Sequence, residues 1–134
     1  MNLDAYLRRI RYEGPLEPAL ETLRRLHRAH LLAIPYENLD IHLGRRLELS
    51  EERIFDKLVL ERRGGWCFEM NGLFASVLEE LGFRPRLLAG AVDRERRGDG
   101  TRFTHLVLLV ELERPYLVDV GFGNGFLEPL PLAE

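Results

Sequence analysis

The chain has 134 residues, of which 46% are hydrophobic and 31% charged, and its formal net charge is −3. That composition describes a globular protein with room for one domain, or for two small units sharing a core. It excludes nucleic acid as the main partner, which would call for a basic excess, and it holds no apolar run long enough to span a bilayer.

Asn2 is placed to cap a short helix whose apolar side is Leu3, Tyr6, Leu7 and Ile10. The absence of an apolar stretch here, with an acid at Asp4, leaves no visible signal peptide. The sequence "EGP" at 13–15 breaks the helix. Pro18 can open the next one, with Leu20, Leu23, Leu26 and Leu31 on one side and Pro35 at its end. His27 and His30 have charged neighbours in that helix and are expected to be solvated. Residues 34–50 read as an irregular connection with short extended pieces around Gly44, and His42 lies there without an assigned role. Ser50 is a helix cap with Glu51 and Glu52 in the first turn, and Ile54, Phe55, Leu58 and Val59 form the buried side. "RRGG" stops that helix. A further one runs from about Cys67 to Leu81, burying Phe68, Leu73, Phe74, Val77, Leu78 and Leu81, with Gly82 as its C-terminal cap.

After Gly82 the periodicity changes. "RPRLLAGAV", "RFTHLVLLVEL" and "PYLVDVGF" read as β-strands, the first two joined by a charged loop and the last two by a tight turn at 111–114. The end, from Gly123 on, reads as irregular. The expected architecture is α+β, a helical subdomain over 1–82 followed by an antiparallel sheet subdomain over 83–134.

Cys67 is the only cysteine, so neither an internal disulfide nor a thiolate zinc site can form from this chain alone, and a reducing cytoplasm is the expected compartment. No histidine pairing has metal-ligand spacing, and no metal is expected. At the start of a helix, unpaired backbone N–H groups and the macrodipole stabilise a thiolate, the attacking form of cysteine, although by itself Cys67 reads equally as a structural thiol. Gly64 and Gly65 before it allow a sharp backbone approach. His105 interrupts one apolar strand and Asp119 another, and both are equidistant from position 112 in the intervening turn. In an antiparallel hairpin such residues are cross-strand neighbours, so a carboxylate is expected to hold an imidazole beside the thiol. Taken without Cys67, the pair reads as a satisfied buried hydrogen bond. "DVGFGNG" at 119–125 reads by itself as a turn leaving a strand, or as backbone N–H groups presented to a phosphate or pantetheine arm. Of Arg62 and Arg63, one is expected to pair inward with a carboxylate and the other to be solvated. Arg9 and Glu37 are candidates for a buried pair beneath the site, and Trp66 and Phe68 for core positions.

With these residues assembled, the chain closely resembles the arylamine N-acetyltransferases. The resemblance is carried by "YLRRIRYEGP", "LETLRRLHRAHLLAIPYENLDIHLGR", "KLVLERRGGWCFEMNGLFASVLEELGF", "THLVLLV" and "YLVDVGFG", in family order. It implies that Cys67, His105 and Asp119 are a catalytic triad in a papain-like arrangement. It implies ping-pong transfer of acetyl from acetyl-CoA to an arylamine, hydrazine or arylhydroxylamine. It further implies that Gly121, Phe122 and Gly123 line the cleft, that Val92 borders the acceptor, and that Arg9 and Glu37 form an ion pair near the triad. Arg63, Gly64 and Gly65 would support the site. Family members are longer, with a β-barrel and a third domain covering the cleft. The resemblance thus implies an incomplete barrel and no lid within these residues, with self-association through open strand edges and weak turnover. Two other readings remain open: a papain- or transglutaminase-like thiol hydrolase, and a non-catalytic fragment acting as an oligomerising module.

Overall fold

The computed structural model describes residues 1–101 and 103–133, apart from the side chains at 99 and 101. The Asn2 side chain accepts from the Ala5 N–H at 3.0 Å and opens α1, Leu3–Arg9, which buries Tyr6 and, just beyond its end, Ile10. Helix α2 spans Leu20–Ala33 and ends as Ile34 turns extended before Pro35, as the residue preceding a proline does. Its buried residues include Leu23, Leu26, His27 and His30. The two histidines expected in solvent are thus both 0% exposed. They fall four and seven positions after Leu23, on the core-facing stripe, while Arg24, Arg25 and Arg28 point outward. His30 Nδ1 lies 2.8 Å from the Tyr6 hydroxyl, and burial lowers its pKa to about 3.

The connection after Pro35 contains one helical turn, α3, Leu39–His42. Ser50 Oγ accepts from the Arg53 N–H at 3.2 Å and starts α4, Glu51–Phe55, which continues as a π-helical turn over Asp56–Leu60. Helix α5, Cys67–Glu80, runs through the core and buries Met70, Leu73, Phe74, Val77 and Leu78. Phe68 and Leu81, expected to be buried with them, are only partly so. Gly82 takes the left-handed conformation expected of its cap, with φ +88°.

The sheet is antiparallel in the order β1 (Pro85–Gly90), β2 (His105–Glu111), β3 (Pro115–Val118), β4 (Leu130–Pro131). Leu108, Val110, Tyr116 and Val118 share one hydrophobic cluster with the α5 residues. The charged loop between β1 and β2 carries a single turn, α6, Arg94–Arg97, followed by a 3₁₀ turn at Gly98–Thr101. Arg102, counted above as the start of the second strand, lies outside the described residues, and that strand begins at His105. The third strand stops at Val118, not at Phe122, so Asp119 sits just beyond the ladder. Leu130–Pro131, in the tail read as irregular, pairs back onto β3. No helix among the described residues is long and apolar enough to cross a membrane.

Arg9 and Glu37 do not form the expected ion pair. Buried Arg9 donates to the carbonyl oxygens of Leu58 (2.9 Å), Ala33 (2.7 Å), Arg62 (3.3 Å) and Arg63 (3.5 Å). The last carbonyls of a helix lack intrahelical donors, and one guanidinium can serve several at once. Arg9 therefore joins α1 to the ends of α2 and of the π-helical turn. Arg9→Met keeps the aliphatic stem and orphans these acceptors. Urea unfolding should show a loss of roughly 3 kcal/mol with an unchanged m-value.

Candidate active site

Cys67 is the first residue of α5. The chain reaches it in extended form, held against the end of α2. The Gly65 N–H donates to the Pro35 carbonyl at 3.2 Å, and the Glu37 N–H donates to the Gly65 carbonyl at 2.9 Å. A Cβ at Gly64 would lie 2.0 Å from the Pro35 oxygen, so only glycine lets the backbones come this close. Glu69, in the first turn, accepts from the Trp66 N–H at 3.3 Å. Its carboxylate also takes Lys57 Nζ at 2.9 and 3.0 Å. Lys57 reaches Asp40 at 3.0 Å as well, and Arg63 bridges Glu37 at 2.8 Å and Asp40 at 2.9 Å. Arg63 is thus the inward-paired arginine and Arg62 the exposed one. Hydrogen bonding from Arg63 holds Asp40 at about 2. Burial works against the Lys57 ammonium, but Glu69 and Asp40 outweigh it and raise its pKa.

His105 opens β2, opposite Gly90 of β1. Its Nε2 donates to Asp119 Oδ2 at 2.6 Å. The hairpin register pairs Leu108 with Val118, so extending it sets Asp119 opposite Val107 and not opposite His105. The two are diagonal neighbours. The offset from the expected pairing is an even number of residues, so with a side-chain period of two both stay on one face. His105 is raised to about 9, first by its hydrogen bond to Asp119, next by the Cys67 sulfur, with burial opposing. Burial likewise pushes the Asp119 carboxyl up, but His105, Asn71 and the Gly121 N–H together hold it below its ordinary value. The Phe122 ring meets the His105 ring edge-on, with centroids 5.2 Å apart.

Two residues without an expected role in the site complete its bonding. Asn71 donates to Asp119 Oδ1 at 2.9 Å and to the Leu106 carbonyl at 2.7 Å, and accepts from the Val120 N–H at 2.9 Å. It stands one helical turn after Cys67, and a polar side chain among Met70, Leu73 and Phe74 was the available signal. His27 accepts from the Asp119 backbone N–H at 3.3 Å. Gly121 packs directly on α5, and a Cβ there would lie 2.7 Å from Cys67 Cα.

An open cleft of about 400 Å³ adjoins His105 and Asp119, with Val92, Phe122 and Phe126 also on its wall, while Cys67 is buried behind it and does not line it. Gly121 faces Cys67 and Asn71, and Gly123 faces Tyr36, so neither belongs to that wall. Among the described residues, no group of three or more His, Cys, Asp or Glu side chains could hold a metal ion.

The N-acetyltransferase family profile matches residues 19–134. The arylamine N-acetyltransferase of Escherichia coli K12 is 46% identical over 126 residues, covering 93% of this chain and 45% of that protein. The arylamine N-acetyltransferase / N-hydroxyarylamine O-acetyltransferase of Salmonella typhimurium LT2 is 44% identical, with the same coverage. The solved structure of the Mycobacterium marinum arylamine N-acetyltransferase in complex with CoA superposes with a TM-score of 0.91 at 47% identity. That match covers 98% of this chain and 51% of the solved one. The chain spans about half the length of the curated relatives it matches.

The raised His105 gives a definite sign to the pH dependence of stability. Its contribution is full below the ordinary value of 6.5 and is lost as pH rises through about 9. Asp119, held low, contributes above the ordinary carboxyl range and loses its share in acid. Calorimetric melting temperatures should fall between pH 6.5 and 9, and a His105→Gln variant should lack that component of the fall.

Proposed function

The chain belongs to the arylamine N-acetyltransferase family, and from that premise we propose that it transfers acetyl from acetyl-CoA to an arylamine, hydrazine or arylhydroxylamine through an acetyl-Cys67 intermediate. The observation that carries the reading is the 2.6 Å bond from His105 to Asp119, with the proton affinity of the ring raised beside Cys67 at a helix start.

With Nε2 engaged by Asp119, Nδ1 is the ring nitrogen left for the sulfur. His105 takes the Cys67 proton and the thiolate attacks the thioester carbonyl carbon. A carbon–sulfur bond to Cys67 forms as the carbonyl π pair moves to oxygen, where the first-turn N–H groups of α5 stabilise it. Collapse expels the coenzyme A thiolate, which takes the proton from His105. In the second half-reaction the amine nitrogen attacks the acetyl carbon, His105 accepts the amine proton, and the Cys67 thiolate leaves. Asp119 keeps the ring oriented throughout and stabilises its cationic form. The CoA bound by the M. marinum relative supports the choice of donor. The apolar, aromatic part of the cleft wall, Val92, Phe122 and Phe126, suits a flat acceptor.

In this reading the segment 1–82 supplies the nucleophile, and 83–134 the base and acid, as the start of a barrel whose remainder and covering domain are not among these residues. The cytoplasm suits a thiol that must stay free. The outer edge of β1, where Leu87 is 61% exposed, is the surface through which copies would associate.

Intact-mass spectrometry after mixing with acetyl-CoA should find one acetyl group on the parent and none on Cys67→Ala. His105→Gln should slow its appearance by roughly a hundredfold or more. Added arylamine should discharge the adduct, and discharge to water alone at the same rate would favour a thiol hydrolase. Sedimentation velocity should show concentration-dependent association that Leu87→Lys weakens.

A further inference from the structure

Helix α2 is remote in sequence from every residue that the proposed chemistry uses, yet one of its side chains touches the site. His27 is 0% exposed. Its Nδ1 lies 2.9 Å from the Leu127 carbonyl oxygen, and its Nε2 lies 3.3 Å from the Asp119 backbone nitrogen. A carbonyl only accepts and an amide N–H only donates. The two partners therefore dictate a single form of the ring: neutral, with the proton on Nδ1 and the lone pair on Nε2. Burial favours that neutral form and lowers the pKa of the ring, against the pull of the Leu127 carbonyl and of Asp119. Of the nearby titratable groups, His30 is on the same helix, and Asp119 and Glu128 are on the segment facing it.

The chain leaves the sheet at Asp119 and is back at His27 by Leu127. Between these points lie Gly121, packed on Cys67, Phe122, edge-on to His105, and Phe126, on the cleft wall. The imidazole grips both ends of this loop. It also stacks on Phe126, with centroids 5.6 Å apart and planes 7° from parallel. We propose that His27 is a positioning residue, a two-ended staple that sets the backbone of Asp119 and the aromatic wall of the cleft in one rigid unit. It touches no reacting atom. Its action runs through Asp119 to His105, and through Phe126 to the acceptor side. The proposal rests on Cys67, His105 and Asp119 acting together, but its test needs no acetyl transfer.

Three substitutions separate the functions of the ring. Gln places an oxygen near the Nε2 position and can accept from the Asp119 N–H. Asn places its amide near Nδ1 and can donate to Leu127 alone. Phe keeps the stack on Phe126 and neither hydrogen bond. The readout is the His105 midpoint in an NMR imidazole titration, which should lie near 9 in the parent, with His105→Gln used for assignment. Phe and Asn should each lower that midpoint by about one pH unit, as the bond to Asp119 loosens, and Gln should restore it, whatever each does to the melting temperature. An unmoved His105 midpoint in Phe and Asn, or rescue by Asn in place of Gln, would overturn the proposal. A second measurement uses the parent alone. Long-range proton–nitrogen spectra near pH 7 should show His27 neutral with its proton on Nδ1. A charged ring, or a proton on Nε2, would defeat the proposal even if no variant folds. Loss of acetylation with the His27 form and the His105 midpoint intact would count against the transferase reading alone.

Discussion

The site depends on how the Asp119 carboxylate is shared. One oxygen takes the His105 ring, and the other takes the Asn71 amide and the Gly121 N–H. These donors come from β2, from α5 and from the loop after β3. A carboxylate so far buried costs free energy unless its lone pairs are matched, and here donors from three separate segments match them. The same bonds fix where the imidazole stands relative to the first residue of α5. Sheet and helix are thus held in register at the one place where the proposed chemistry needs it.

A second constraint lies on the other side of the α5 start. Lys57 and Arg63 meet Glu37, Asp40 and Glu69 in a partly buried network that pins the connection after α2 to the approach of Cys67. The gain over an apolar equivalent is small, because desolvation offsets attraction. Removing Lys57 would cost about 3–5 kcal/mol, since Glu69 would stay buried without the cation it pairs with. Arg9 does comparable work without a counter-ion, by serving carbonyl groups that the helix ends leave open.

What was legible in the sequence was whatever has a short period or a local cap. The Asn2 and Ser50 caps, the apolar stripe of α5 and the left-handed Gly82 follow from spacing a few residues long. The contact between His105 and Asp119 was legible too, though its pairing was not, because loop geometry and not strand composition sets where a ladder begins. Residues whose role depends on distant partners were not legible. Glu37 is as good a partner for Arg9 as for Arg63 until the chain folds. His27 looks solvated beside three arginines, although its spacing from Leu23 already put it on the core face. The short strand at Leu130–Pro131 has too few residues to announce itself and exists because β3 offers it an edge.

The diagonal placement of His105 and Asp119 bears on how the β2–β3 turn can vary in length. One residue inserted at 112–114 that slips the register by one would rotate Asp119 to the opposite surface of the hairpin and leave the imidazole without its acid. Two would merely slide the carboxylate along the same surface by one pleat, a displacement a side chain can partly absorb. Length changes in this turn that pass into the ladder are therefore filtered by parity, with odd slips excluded first.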